Sequence, residues 1–462
     1  MSRTTVNIPI VLIYCAIFAL SGCTESFSIE VSSTQKISDT SGNFNDSLNA
    51  GDQFGSAIAN IGDLEFDGVT DLAVGAPYDD DNGSDRGAVW ILFMDSNGQV
   101  DVKQKISDNQ GGFTGGLADN DRFGSAVTTM EDLNGDGFLD LAVGAPLDDD
   151  GGTDRGAVWI LFLNADGTVI QTQKISDGAG GFTATLDDND QFGSTLANIG
   201  DLNNDGVTDL AVGVQYDDDG GSNRGAVWIL FMNPDGSVSA QQKISSTEGD
   251  FDGNLQDGVR FGSAIDIAGD LDSDGVTDLV VGSSGDDDGG SDRGAIWILF
   301  MNTDGTVQAT QKISQTNGEF DGFLGTGDQF GHAIANLGDL NDDGVDELAI
   351  GALSSDDGGL DRGAVWILFM RSSGKVHSTS KISNTNGNFD GVLTDGNQFG
   401  SAVANIGDLD DDGVTDIAAG ANLDDDGKIN AGAAWILFMA PVKIETEIDT
   451  TEISLNRLRG SR

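Results

Sequence analysis

Apolar and polar positions alternate along this chain in short, punctuated runs, with no long helical stripes. Phe54-Gly-Ser-Ala-Ile-Ala-Asn60 opens one such run, Asp71-Leu-Ala-Val-Gly75 a second, and Gly87-Ala-Val-Trp-Ile-Leu-Phe-Met94 a third. A fourth spans Val100 to Ser107 and follows Asn97-Gly98, a dipeptide suited to a hairpin turn. The third run is apolar at odd and even positions alike, which predicts a strand covered on both faces by neighbouring sheets. Beyond the first 22 residues nothing reads as a helix.

The runs repeat with a fixed period. Lys36, Lys105, Lys174, Lys243, Lys312 and Lys381 each open a Lys-Ile-Ser triplet, at intervals of 69 residues. Phe-Gly pairs beginning at Phe54, Phe123, Phe192, Phe261, Phe330 and Phe399 keep the same interval. So do the only six tryptophans: Trp90, Trp159, Trp228, Trp297, Trp366 and Trp435. Four strands per unit, repeated six times, predict an all-β fold, a six-bladed β-propeller of four-stranded antiparallel blades. The last Trp run stops at Met439, and Pro441 and Lys443 follow too soon for another hairpin. Val31 to Asp39 is a fourth strand with no preceding three, so the ring is expected to close by placing this N-terminal strand in the last blade. The other closing strand available is Val442 to Ile448.

At the N-terminus Arg3 is followed by the apolar stretch Ile8–Leu20 and then Leu20-Ser-Gly-Cys23. Thirteen residues fall short of the about 20 that span a membrane, and fit the core of a signal peptide over residues 1–22. The tetrapeptide ending in Cys23 resembles a bacterial lipobox. That resemblance implies cleavage before Cys23, lipidation of Cys23, and an exported protein anchored in the bacterial cell envelope, at the outer membrane or cell surface. An ordinary secretory signal with a coincidental cysteine is the other reading. The mature chain then holds no disulfide, since Cys15 leaves with the signal. Residues 23–30 are expected to be a short tether, 31–445 the propeller, and 446–462 a disordered tail.

Composition sharpens the picture. With 77 acidic and 22 basic residues the formal charge is −55, which repels phosphate backbones and argues against nucleic acid as a partner. Such acidity also suggests disorder, but 38% hydrophobic content and the six tryptophans oppose it. The acids are mostly Asp, whose short carboxylate suits turns and tight metal loops.

The acids cluster first between the first and second strands of each unit. Nine-residue loops carry side-chain oxygens at positions 1, 3, 5 and 9, with Gly at position 6. They read Asp63/Glu65/Asp67/Asp71, Asp132/Asn134/Asp136/Asp140 and Asp201/Asn203/Asp205/Asp209 in the first three units. The last three read Asp270/Asp272/Asp274/Asp278, Asp339/Asn341/Asp343/Glu347 and Asp408/Asp410/Asp412/Asp416. Position 7 can add a backbone carbonyl, from Val69, Phe138, Val207, Val276, Val345 or Val414. Oxygen ligands rich in carboxylate point to Ca2+ rather than to zinc. An EF-hand is rejected, because Val74 and Val143 stand at position 12 and a strand follows the loop. The plain alternative is that each loop is only a favourable turn.

Phe-Gly, the acidic loop and Gly75-Ala76-Pro77 together resemble FG-GAP repeats, the units of the integrin α-subunit propeller. The resemblance covers about residues 31–445 and implies calcium in the nine-residue loops and a partner site on the opposite face. Gly-Ala-Pro survives only there and at Gly144-Ala145-Pro146, and six units are present where integrin propellers have seven blades.

A second set of acids joins the second and third strands: Asp79–Asp81, Asp148–Asp150, Asp217–Asp219, Asp286–Asp288, Asp356-Asp357 and Asp424–Asp426. Strand alternation puts them on the face opposite the nine-residue loops, as a solvated rim or as a second set of cation sites. Arg86, Arg155, Arg224, Arg293 and Arg362 are expected to pair with Asp between blades; the sixth unit has Ala431 there. The tryptophans are read as packing between blades. His332 and His377 are not shared by the other units, and no catalytic constellation appears. The expected function is therefore a calcium-binding, surface-exposed, monomeric adhesion module for a surface protein or glycan, not an enzyme. A hydrolase of polysaccharide or lipid and a purely structural surface protein are the alternatives.

Overall fold

The computed structural model describes residues 23–45 and 47–448, so the expected signal peptide and residues 449–462 lie outside the described residues. Two strands come first, β1 (Cys23–Ser28) and β2 (Val31–Ser38). Blade 1 is β3 (Ala57–Asn60), β4 (Leu72–Ala76), β5 (Ala88–Met94) and β6 (Val100–Ser107). Blade 2 is β7 (Ala126–Thr129), β8 (Leu141–Ala145), β9 (Ala157–Leu163) and β10 (Val169–Ser176). Blade 3 is β11 (Thr195–Asn198), β12 (Leu210–Val214), β13 (Ala226–Met232) and β14 (Val238–Ile244). Blade 4 is β15 (Phe261–Gly269), β16 (Asp278–Ser283), β17 (Ala295–Met301) and β18 (Val307–Ser314). Blade 5 is β19 (Phe330–Gly338), β20 (Glu347–Ala352), β21 (Ala364–Met370) and β22 (Val376–Ser383). Blade 6 draws β23 (Phe399–Gly407), β24 (Asp416–Ala421) and β25 (Ala433–Met439) from the C-terminal end.

β2 supplies the fourth strand of blade 6, pairing antiparallel with β25 from Val31↔Met439 to Ser38↔Ala433. The fold is thus an all-β, six-bladed propeller whose ring is latched by the N-terminal strand. The hairpin expected at Asn97-Gly98 is a longer turn, in which Asp95 and Gln99 close the ends and Gly98 takes a positive φ of 72°.

The third strand explains the core. In β5, Val89, Ile91 and Phe93 pack towards blade 2, while Trp90, Leu92 and Met94 pack towards blade 6. Six such inter-blade clusters replace one central core. Each Trp meets one phenylalanine, which packs in turn on a second: the Phe44 ring lies 5.1 Å from Trp90 edge-on and 4.8 Å from Phe54. The glycine after Phe54 is needed because a Cβ on Gly55 would stand 2.3 Å from the Ala433 carbonyl of blade 6. Gly75 meets the next blade the same way, 2.0 Å from the Gly124 carbonyl. The Phe-Gly and Gly-Ala motifs are thus the points where one blade's backbone touches another's.

Residues 23–30, expected as a tether, include a strand. β1 pairs with β26 (Lys443–Ile448) in a two-stranded ribbon outside the blades, from Cys23↔Ile448 to Ser28↔Lys443. The candidate closing strand at Val442–Ile448 therefore takes no part in ring closure, and residues 446–448 of the expected tail belong to β26. The ribbon docks on β22: Phe27 N–H donates to Ser378 Oγ (3.0 Å) and Ile29 N–H to Ser380 Oγ (3.0 Å). Blade 5 is built for it, since Gln35, Gln104, Gln173, Gln242 and Gln311 occupy the register of Ser380 in the other units.

Candidate metal centres and the aspartate-run face

Each nine-residue loop is held by its own acids. Asp63 accepts from the N–H of Asp67 (2.9 Å) and of Gly68 (2.8 Å), and Asp67 accepts from Val69 (2.8 Å). The same pattern recurs in the other five loops, as at Asp270 and Asp408. Gly68 takes φ 96°, as position 6 requires, but position 4 is left-handed too: Phe66, Asn204, Ser273, Asp342 and Asp411 all have φ near 60°. The composition of position 4 hides this, because only Gly135 advertises it.

The ninth-position acid does more than close the loop. Asp71 is fully buried, and accepts from Leu64 N–H (2.9 Å) and, across the blade, from Met94 N–H at the end of β5 (3.1 Å). Asp140, Asp209, Asp278 and Asp416 repeat both contacts, and Glu347 is likewise buried and accepts from Leu340. Burial pushes these carboxyls up: Asp71, Asp140 and Asp278 to about 7, Asp209 and Asp416 to about 6, Glu347 to about 8. Position-5 acids raise all six further: Asp67, Asp136, Asp205, Asp274, Asp343 and Asp412, each acting within its own loop.

Not all of the sequence-predicted ligands are brought together. Carboxylates converge most closely in blades 4 and 6, where oxygens of Asp270, Asp272 and Asp278, and of Asp408, Asp410 and Asp416, lie within 4.8 Å of one another. These are positions 1, 3 and 9; the position-5 acids Asp274 and Asp412 stand outside both groups. The reason is local. Each is exposed and turns one oxygen back to cap the position-7 N–H, of Val276 (2.9 Å) and Val414 (2.9 Å) respectively. Asp205 and Asp343 do the same with Val207 and Val345, at 3.0 Å each.

In blades 2, 3 and 5 position 3 is Asn, and no three carboxylates gather there among the described residues. The asparagine oxygen is already taken by the loop backbone: Asn203 accepts from Asp205 N–H (2.8 Å) and Asn341 from Asp343 N–H (2.9 Å). The amide nitrogen then faces the acids. Asn134 donates to Asp136 (2.9 Å) and Asn203 to Asp205 (2.9 Å), whereas Asn341 reaches Glu347 (3.2 Å). Spacing marks all six loops alike; the amide at position 3 separates blades 2, 3 and 5, whereas blade 1 has the longer Glu65 there and its Asp63, Glu65 and Asp71 do not gather as the acids of blades 4 and 6 do.

On the opposite face the Asp runs divide: the middle acids Asp80, Asp149, Asp218, Asp287, Asp356 and Asp425 form an exposed rim, while the Lys of each Lys-Ile-Ser triplet holds the flanking acids. Lys105 Nζ lies 2.6 Å from both Asp79 and Asp81, and Lys174, Lys243, Lys312 and Lys36 repeat the bridge. In blade 5 Lys381 meets Asp357 (2.7 Å) and Ser355. Each ammonium also sits 4.9–5.7 Å from the Trp ring of its blade. The common 69-residue period of Lys, Trp and Asp was the available signal.

Four of the five arginines reach acids in the loop that leaves for the next blade: Arg86 binds Asp108 (2.7 Å) and Asp119 (2.9 Å), and Arg155 binds Asp177 and Asp188. Arg224 binds Asp257 and Arg362 binds Asp395, whereas Arg293, also expected to pair with Asp, lies against the Phe323 ring instead. Where the sixth unit has Ala431, Lys428 replaces a glycine of the other units and reaches Asp39 (3.5 Å) and the Leu48 carbonyl. Two one-off residues line the central channel. Asp266, raised to about 6 by burial, accepts from Ile267 and Asn336 N–H at 2.8 Å each, tying blade 4 to blade 5. His332 is lowered by burial to about 4 and is neutral near pH 7.

The FG-GAP repeat model matches residues 54–92, 123–161, 192–230, 261–299 and 330–368. Among known proteins, the chain is 37% identical to integrin alpha-11 of Homo sapiens over 169 residues, which are 35% of this chain and 12% of that protein. It is 32% identical to integrin alpha-PS2 of Drosophila melanogaster over 207 residues (42% and 13%). Integrin alpha-5 of Xenopus laevis is 30% identical over 267 residues (57% and 22%). The matched region is thus less than a quarter of these relatives' length. A crystal structure of BBS1N in complex with ARL6DN, soaked with lead, aligns over 89% of this chain and 97% of that one, at 12% identity and a TM-score of 0.39. Five matched repeats, a sixth in the same register and a closed ring of six blades make this chain an FG-GAP-repeat β-propeller.

Proposed function

We propose that the chain is a calcium-stabilised binding module displayed outside the cell, acting in adhesion to a surface protein or glycan. The observation that carries this reading is the registered set of nine-residue loops on a propeller similar to those of integrin α chains, with carboxylate oxygens already gathered at Asp270/Asp272/Asp278 and Asp408/Asp410/Asp416. The donors are all oxygen, several are carboxylates, and each loop is pre-shaped by its own hydrogen bonds, which suits a hard divalent cation. Positions 1, 3 and 9 would supply side-chain oxygens and position 7 a carbonyl. Position 5, as at Asp274 and Asp412, would add the carboxylate oxygen that does not cap position 7. A bound cation would cancel the mutual repulsion of the loop acids and fix the link between each blade's first two strands. Anchoring through a lipid on Cys23 belongs to the same proposal.

Thermal unfolding with calcium and with a chelator tests it. A ligand that prefers the folded state must raise the midpoint. Equal midpoints would remove calcium from the reading, whereas loss of cell adhesion on chelation would tie the metal to the function.

A further inference from the structure

The repeat is so regular that its deviations are informative. Phe323 (71% exposed) and Val392 (75%) stand where the other units carry Ser47, Gly116, Thr185 and Asn254. Leu360 (62%) and Ile429 (70%) stand where the others carry Ser84, Thr153, Ser222 and Ser291. Both positions lie on the aspartate-run face, in two loops that meet at the seam between neighbouring blades. Gly396 N–H donates to the Leu360 carbonyl (2.9 Å), joining that loop to the one carrying Val392. Gly327 N–H reaches Ser291 (3.0 Å) beside Phe323, and Gly51 N–H reaches Ile429 (2.9 Å). The apolar side chains therefore occupy three consecutive seams, 4/5, 5/6 and 6/1, and both positions are apolar at the middle one. The other three seams carry no large apolar residue at either position.

The fold does not require these residues, since blades 1 to 3 make the same seams with Ser, Thr, Gly and Asn. In the same sector the ionic clamps are rewritten. Thr326 stands in the register of the Asp residues that pair with Arg86, Arg155, Arg224 and Arg362, and the Arg293 guanidinium lies 5.6 Å from the Phe323 ring. The apolar band is bordered by acid: Asp321, Asp356, Asp390, Asp395 and Asp425 are all exposed. Exposed apolar groups at three consecutive seams, two of them on the loops that meet at the middle seam, mark an interaction site, and the charge around them selects what binds. A second copy of a −55 chain and an anionic lipid surface are both repelled.

We propose that this band is a docking surface for a partner polypeptide segment that presents aliphatic or aromatic side chains flanked by Lys or Arg. The assignment rests on the binding-module reading and gives that module a location and a partner chemistry.

The test uses the full chain with calcium and a labelled amphipathic Leu/Lys peptide, beside a Ser/Lys peptide of equal charge, read by fluorescence anisotropy at physiological salt. The wild-type chain should prefer the Leu/Lys peptide about tenfold or more. A variant carrying Phe323→Asn, Leu360→Ser, Val392→Thr and Ile429→Ser takes residues the fold already uses at these positions. It should melt as the wild type does and lose the preference, while Phe66→Asn on the other face keeps it. Equal binding of the two peptides by the wild type, or a preference that survives in the four-site variant, overturns the proposal. So does a wild-type dimer, or binding to phosphatidylcholine vesicles, that the four-site variant loses. Adhesion of cells displaying the chain separates the two readings. Adhesion that persists in the variant moves the site and leaves the module reading intact. If the wild type confers no adhesion, the module reading fails while the peptide preference still reports on the band.

Discussion

At the scale of single residues, the acids of this chain divide by what neutralises them. Asp79 is fully buried, and burial pushes its carboxyl up while Lys105 opposes that rise. Replacing the ammonium with a methionine leaves Asp79 buried and uncompensated. Lys105→Met should therefore cost about 3 kcal/mol in unfolding free energy at pH 8, the lower end of what breaking a buried pair costs, because Asp81 is partly solvated. The sign with pH is fixed: without Lys105 the folded-state pKa of Asp79 rises further above its unfolded value. The variant thus recovers stability as pH falls and Asp79 takes up a proton. Denaturant titrations at pH 8 and pH 5 check this, and a penalty independent of pH would mean that the lysine acts only by packing on Trp90.

At the scale of elements, the blades depend on a few glycines that allow backbones to meet. Gly55 has φ 90° and faces the Ala433 carbonyl, so Gly55→Ala brings both strain and a clash across the seam that closes the ring. A loss of about 3 kcal/mol or more is expected from the denaturant midpoint. Gly68→Ala is the control, because nothing lies within 4 Å of its Cβ and only the φ 96° penalty applies. Most elements were legible beforehand because strict periodicity aligned six weak strand signals into one strong one. The start of the first strand was not: in blades 1 to 3 it begins at Ala57, Ala126 and Thr195, after the bent Gly, whereas in blades 4 to 6 it includes the Phe-Gly pair. The terminal ribbon was also missed. Cys23–Ser28 and Lys443–Ile448 are short and polar, occur once, and become strands only by pairing with each other at the far ends of the sequence. Ser380 in place of a repeated glutamine, and the one-off His377 whose ring lies edge-on 5.0 Å from that of Phe27, were the traces they left. At the candidate site the loop acids were visible from spacing. Two things were not: the second duty of Asp71, a contact across the blade to the end of β5, and the capping role that holds Asp274 and Asp412 apart from the gathered three.

At the scale of the whole molecule, the same charge that suggested disorder becomes a prediction about pH and metal together. The ninth-position carboxyls have folded-state pKa values of about 6 to 8, against an ordinary value near 4, and Asp52, Asp121 and Asp190 are raised to about 7, 6 and 6. Between about pH 4 and pH 8 the metal-free folded chain binds more protons than the unfolded chain, so its stability falls as pH rises through that window. Self-repulsion at −55 acts in the same direction. A divalent cation requires these carboxylates ionised, so binding must release protons, and affinity must grow as pH rises over the same range. The melting midpoint of the metal-free chain should decline from pH 5 to pH 8, and saturating calcium should flatten that decline. Calorimetry in buffers of different ionisation enthalpy should register protons released on calcium binding at pH 6 and fewer at pH 8. Parallel melting curves with and without calcium, and no proton release, would show that the buried acids serve only as clamps on the loops.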